Sequence, residues 1–293
     1  FYRNGEADEL LFVHEGTGRF ESVFGVMDYR PGDYIVIPIG TTWRLDPTPE
    51  TAQRMLWLES ASELEPPKRY RNDYGQLLEH APYSQRDIRV PEATPVRDEN
   101  GTFVIEVKMR GRITAYHYGR HPFDVVGWDG YLYPWIFNIA DFQPITGRVH
   151  QPPPVHQTFQ GRNFVICSFV PRKFDYHPLA IPAPYNHSNI NSDEVIYYVA
   201  GNFMSRRGVE ISSFTLHPAG IPHGPHPGTV EASIGKEATD ELAVMVDTFN
   251  PLEITRQAAE LDAPDYPYSW LPPADDEDDV QQLAERGPEA FPD

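Results

Sequence analysis

The sequence predicts an all-β fold of two tandem jelly-roll-like barrels or sandwiches, with few and short helices. Three observations predict it. The 293 residues include 30 prolines and 21 glycines, which suit short strands joined by turns and disfavour long helices. Short apolar runs, rich in β-branched and aromatic residues, recur between turn residues, as in sandwiches and barrels. One arrangement of chemically distinctive residues also occurs twice, once in each half.

Taken in order, Glu9 to Gly25 (E-L-L-F-V-H-E-G-T-G-R-F-E-S-V-F-G) reads as two strands joined by a hairpin turn at Gly16-Thr17-Gly18. Asp33 to Pro38 and Arg54 to Ser60 are further strands. Residues 61–101 carry many charges, prolines and isolated aromatics, and read as an irregular connection wrapping the fold. Strands follow at 102–109, 162–170, 194–201, 210–216 and 242–249. Leu252 to Leu261 is the best helix candidate, with good helix formers and one apolar side. The acidic, proline-ended terminus reads as a solvated tail. The expected division is an N-terminal half over 1–145, a C-terminal barrel over 146–262 and a tail over 263–293.

Hydrophobic residues make up 40% and aromatics 13%, so the chain is globular. A net charge of -19 disfavours nucleic acid and anionic membrane surfaces as partners. No apolar run reaches membrane length, so a soluble, cytoplasmic protein is expected. Cys167 is the only cysteine and sits in an apolar run, which reads as core packing and excludes an intrachain disulfide. The chain opens at Phe1-Tyr2 without methionine, so the absence of a targeting segment carries little weight.

The internal echo is specific. Glu9 and Glu194 each precede a glycine by seven positions (Gly16, Gly201). Pro38-x-Gly40-x-x-Trp43 in the first half answers Pro218-x-Gly220-x-x-His223 in the second. The period is far longer than a solenoid repeat, which points to duplication of a whole barrel.

His187, Glu194 and His223 supply two imidazoles and a carboxylate. That donor set on one face of a metal leaves positions open for substrate and O2, as in facial-triad non-haem Fe(II) oxygenases. Inward positions on neighbouring strands can converge although distant in sequence. Singly, each has an ordinary alternative: a loop histidine, an edge glutamate, a histidine in a rigid turn. In the first copy no histidine precedes Glu9, and Trp43 stands at the place of His223. Tryptophan cannot ligate a metal and would fill the interior, so the first barrel is expected to be metal-free and structural. His14 lies off the motif, exposed or in a polar contact. His150 and His156 flank the Q-P-P-P-V turn, where proline fixes the backbone. His226 fits a site rim or solvent. Tyr197 and Tyr198 read as packing, Arg162 and Asn163 as turn residues, and the aromatic run Asp129 to Asn138 as core or subunit interface.

The pattern of histidine, glutamate-x6-glycine and P-x-G-x-x-H resembles the cupin superfamily. Within it the second half resembles the homogentisate 1,2-dioxygenase family, through Phe123–Gly130, His150–Val155, Y-N-H-S-N with its downstream D-E, and L-H-P-A-G-I-P-H-G-P. The first half resembles that family more loosely. The resemblance implies a bicupin fold, Fe(II), ring cleavage of a hydroquinone acid in aromatic catabolism (tyrosine and phenylalanine degradation), and trimers that pair into hexamers. It places the iron ligands on His187, Glu194 and His223. The base that takes a ring-hydroxyl proton falls on His150, and a substrate-contacting histidine on His217; His156, from its place beside the proline turn rather than from the resemblance, is a further substrate-binding candidate. A tyrosine that helps hold the substrate in that family falls on Phe203, a departure that leaves the acid's binding open. Ser212 replaces a motif glycine on what reads as a strand. Homogentisate is the first candidate and gentisate or another hydroquinone acid the second. A metal-dependent sugar isomerase and a non-catalytic cupin are the rivals from other classes. His/His/carboxylate sites also accept Mn, Co, Ni and Zn.

Overall fold

Strands apolar on both faces must lie between two layers, and Asp8–Glu15, with its run of buried residues, is such a strand. The computed structural model describes residues 1–92, 96–147, 153–203 and 206–271, and among them strands dominate. Five strands form a central sheet in the order Arg54–Ser60, Asp8–Glu15, Asp33–Ile37, Trp135–Asn138 and Ile88–Arg89. A six-stranded sheet covers one face, in the order Arg112–Arg120, Asn100–Met109, Tyr2–Asn4, Thr42–Pro47, Gly18–Ser22 and Gly25–Tyr29. A third sheet belongs to the second half: Gln157–Gln160, Phe164–Phe169, Leu242–Thr248, Asp193–Ala200 and Phe214–His217.

The two-residue period of a strand divides the central sheet between two cores. Leu11, Val13, Ile35 and Ile37 point into the first barrel with Phe20, Met27 and Trp43. Leu10, Phe12, Tyr34 and Val36 point the other way, onto Phe159, Ile166, Tyr197, Val199, Val244 and Val246 of the third sheet. Burying each such side chain is worth roughly 1.5–3 kcal/mol, so the junction between the halves is itself a hydrophobic core. Polar contacts cross it: the Tyr34 hydroxyl meets Ser168 Oγ at 2.9 Å, and His14 Nδ1 meets the Tyr197 hydroxyl at 2.5 Å. Cys167 is buried and free.

The far face of the third sheet carries Cys167, Ile196, Tyr198, Ala243 and Met245. Among the described residues no second large sheet covers it. Phe203 and Val209 pack there, beside a two-stranded pair (Arg172–Lys173 with Ala238–Thr239) and a five-residue helix at Thr229–Ser233. No helix among the described residues is long and apolar enough to cross a membrane.

The structure corrects four sequence expectations. Gly16-Thr17-Gly18 does not close a hairpin. Asp8–Glu15 and Gly18–Ser22 lie in different sheets, and the hairpin partner of Gly18–Ser22 is Gly25–Tyr29. Gly16, at φ +99°, lets the chain cross between layers. The strand expected over 210–216 is only Phe214–His217, and Ser212 lies in a turn at φ +73°. The helix expected over Leu252–Leu261 is the single exposed turn Arg256–Ala259, capped by the Thr255 side chain. No apolar face there meets a partner to prolong it. Residues 263–271, expected to open a solvated tail, include a 3-10 helix, Tyr266–Trp270, that packs on the second half.

The two halves share more than their motifs. The Asp8 Oδ1 atom accepts from the Ile39 amide at 2.8 Å, and Asp193 Oδ1 accepts from the Ala219 amide at 2.8 Å. Their second oxygens accept from Leu64 and Leu252 amides. The Gly40 amide donates to the Asn4 carbonyl, and the Gly220 amide to the Asn189 carbonyl. Asn4 donates to Glu9 and Asn189 to Glu194. Backbone pairing sets Tyr2 opposite Trp43 and His187 opposite His223. The correspondence is therefore atomic: Tyr2, Glu9 and Trp43 stand where His187, Glu194 and His223 stand.

Candidate metal centre

His187 and His223 converge because their backbones pair. The His187 amide donates to the His223 carbonyl at 2.9 Å, and the His223 amide returns the bond at 2.8 Å. Gly224 permits this approach, since a Cβ there would lie 2.3 Å from Asn186 Oδ1. Glu194 reaches the same point from the adjoining strand, directly opposite His217. One donor atom from each of His187, Glu194 and His223 lies within 4.8 Å of the others.

Both histidines have the tautomer that metal ligation requires. His187 Nδ1–H donates to the Tyr185 carbonyl at 3.0 Å, and His223 Nδ1–H donates to the Ile221 carbonyl at 2.9 Å. A carbonyl only accepts, so each Nε2 keeps its lone pair. His223 Nε2 is 3.6 Å from Glu194 Oε1, beyond hydrogen-bond range, and is buried without a partner. A buried, unpartnered imidazole nitrogen costs free energy and faces the other two donors. The donor set fits a divalent metal.

Burial opposes ionisation of Glu194, but the hydrogen bond from His217 and the nearness of the His223 ring outweigh it and hold the carboxyl well below the usual range. His217 Nδ1 lies 2.8 Å from Glu194 Oε1, and its ring stacks on His223 with centroids 4.3 Å apart. Asp247 lies opposite Glu194 on the next strand. Burial, then the Glu194 charge, pushes its carboxyl up to about 7, and its Oδ1 is buried without a partner among the described residues.

The remaining sequence candidates are dispersed. His150 lies outside the described residues. His156 is buried with its ring against Phe169, centroids 4.7 Å apart. Burial, then the nearby Arg172 charge, depresses its pKa to about 3. Phe203 packs edge-on against Tyr198 at 4.7 Å. His226 is fully buried, stacked on Trp270 at 4.1 Å. Sequence reasoning missed Asp247, Tyr266 and Trp270. Asp247 sits in an apolar strand as an isolated acid, a signal that was readable; the 3-10 segment has none, because only the fold returns it to the site.

A family model described as the N-terminal part of homogentisate 1,2-dioxygenase matches residues 1–139, the half whose own motifs resemble that family more loosely. A Saccharolobus solfataricus protein, provisionally described as a dioxygenase, is 46% identical over 272 residues, 92% of this chain and 70% of its own length. Homogentisate 1,2-dioxygenases of Nitrobacter hamburgensis and Rhodopseudomonas palustris are 27% and 28% identical, covering 89% of this chain. The chain spans 61% of the length of each. Among solved structures, a mutant of Bacillus subtilis oxalate decarboxylase covers 90% of the chain and 69% of its own, at 12% identity and a TM-score of 0.37.

Proposed function

We propose that this chain, which belongs to the homogentisate 1,2-dioxygenase family, is an Fe(II)-dependent ring-cleaving dioxygenase acting on a hydroquinone-type aromatic acid. The observation that carries the reading is the convergence of His187, Glu194 and His223, with both imidazole Nε2 lone pairs left uncommitted. These three residues would hold the iron. When bound, it supplies Lewis acidity and the redox partner that O2 requires.

The chain's own residues supply the rest. The carbonyls of Tyr185 and Ile221 fix the tautomers of the ligand histidines, and His217 aligns the Glu194 carboxylate. We assign to His150 the removal of the ring-hydroxyl proton, on sequence grounds alone. His217, Phe203 and His156 are proposed to border the substrate. Homogentisate is the first candidate substrate, and gentisate tests the alternative. A homo-oligomer, trimer or hexamer, belongs to the same proposal.

Oxygen uptake by the Fe(II)-loaded protein under ascorbate, with homogentisate and then gentisate, tests the reading. Stoichiometric O2 consumption with opening of one ring is expected. No uptake with any dihydroxyphenyl acid, from protein that retains its metal, would overturn it.

A further inference from the structure

A chain of hydrogen bonds runs from Tyr266 through His217 to the metal ligand Glu194, and its carboxylate end determines its direction. The Tyr266 hydroxyl meets His217 Nε2 at 3.3 Å, and His217 Nδ1 meets Glu194 Oε1 at 2.8 Å.

A carboxylate can only accept, so His217 carries its proton on Nδ1 and gives it to Glu194. The neutral ring then keeps its lone pair on Nε2, and the Tyr266 hydroxyl donates to it. His217 is buried, so water competes little for these bonds. The segment Tyr266–Trp270 is pinned in place: Ser269 Oγ meets His226 Nε2 at 2.6 Å, and Trp270 Nε1 donates to the Gly224 carbonyl at 3.2 Å, beside His223.

We propose that Tyr266 is a positioning residue of the metal centre, which sets the His217 tautomer and thereby aims the Glu194 carboxylate. It acts through His217 and not on the substrate. The proposal rests on the reading of His187, Glu194 and His223 as metal ligands. It adds that the segment after the barrel completes their support. Hydrogen-bonding partners of metal ligands typically change affinity by about 10- to 100-fold, which sets the expected effect.

The tautomer of His217 is read directly by nitrogen-15 NMR on metal-free protein, and Co(II) affinity by optical titration. The wild type is expected to show Nδ1-protonated His217. Tyr266→Phe, which keeps the ring and removes the hydroxyl, is expected to mix the tautomers and weaken Co(II) binding about tenfold or more, while His187 keeps its own tautomer. An Nε2-protonated His217 in the wild type, or unchanged Co(II) affinity in a folded Tyr266→Phe protein, overturns the proposal. The ligand reading fails separately, if His187→Ala binds Co(II) as tightly as the wild type.

Discussion

Glu9 and Glu194 occupy the same place in two copies of one fold, and their surroundings differ in kind. Glu9 accepts from Asn4 Nδ2 at 3.1 Å and from the Trp43 indole at 3.2 Å. The rings of Tyr2, Trp43 and Trp57 close around it edge to face. Glu194 instead faces His187 and His223, the latter with an Nε2 that has no hydrogen-bonding partner among the described residues, and is braced by His217, where the first copy has Ile37. One carboxylate is spent on holding aromatic donors; the other faces two imidazoles. A barrel can thus be kept for its packing by replacing two imidazoles with rings that fill the same volume and satisfy the same acid.

The largest expected effect separates these roles. Glu194→Ala should abolish metal retention, while Glu9→Gln should leave metal content unchanged; elemental analysis of purified variants checks both. A Glu9→Gln protein that loses metal would break the contrast. Next, Trp43→Ala should cost about 3–5 kcal/mol of stability in denaturant unfolding, as for buried aromatics generally. His223→Ala in chelator-treated protein should cost clearly less, because its Nε2 has no partner to lose.

A subtler contrast lies one strand away. Glu59, opposite Glu9, accepts from Asn4 at 2.9 Å and pairs with Lys108. Asp247, opposite Glu194, lacks a partner for Oδ1, and burial with the Glu194 charge raises its pKa to about 7. A carboxyl whose folded pKa exceeds its unfolded one binds more protons when folded, so its contribution to stability declines as pH rises from about 4 to 7. Metal-free Asp247→Asn should therefore gain on the wild type across that window, by on the order of 1–2 kcal/mol at pH 8. An advantage that shrinks as pH rises would contradict it. The smallest effect concerns Gly32 and Ser212, both at positive φ, whose amides bond the Val13 and Tyr198 carbonyls. Ser212→Gly should stabilise by up to about 1 kcal/mol. Gly32→Ala should destabilise, since its Cβ would sit 3.1 Å from Asn138 Oδ1; thermal melts read both.

Much of this was legible beforehand. Strands with continuous apolar runs, such as 194–201 and 242–249, were readable because strand period and β-branching coincide there. Arg112–Arg120 was not, because all nine of its residues are exposed and no apolar face marks it. The hairpin at Gly16-Thr17-Gly18 was misread because a turn signal states that the chain bends, not which sheet receives it. Of the candidate site, His187, Glu194 and His223 were legible through spacing around one glutamate, whereas Asp247 and Tyr266 join them only by strand register and chain return.

By itself the sequence determined the repeat: two glutamates, two P-x-G turns, and the side chains that make one copy a possible ligand set and the other a packed one. Those are local choices of residue type, and they hold whatever the topology. Only the tertiary structure decided which groups share a proton. Hydrogen-bond direction depends on ångström distances between residues far apart in the chain, and no one-dimensional pattern encodes that Tyr266 and His217 stand in line behind Glu194.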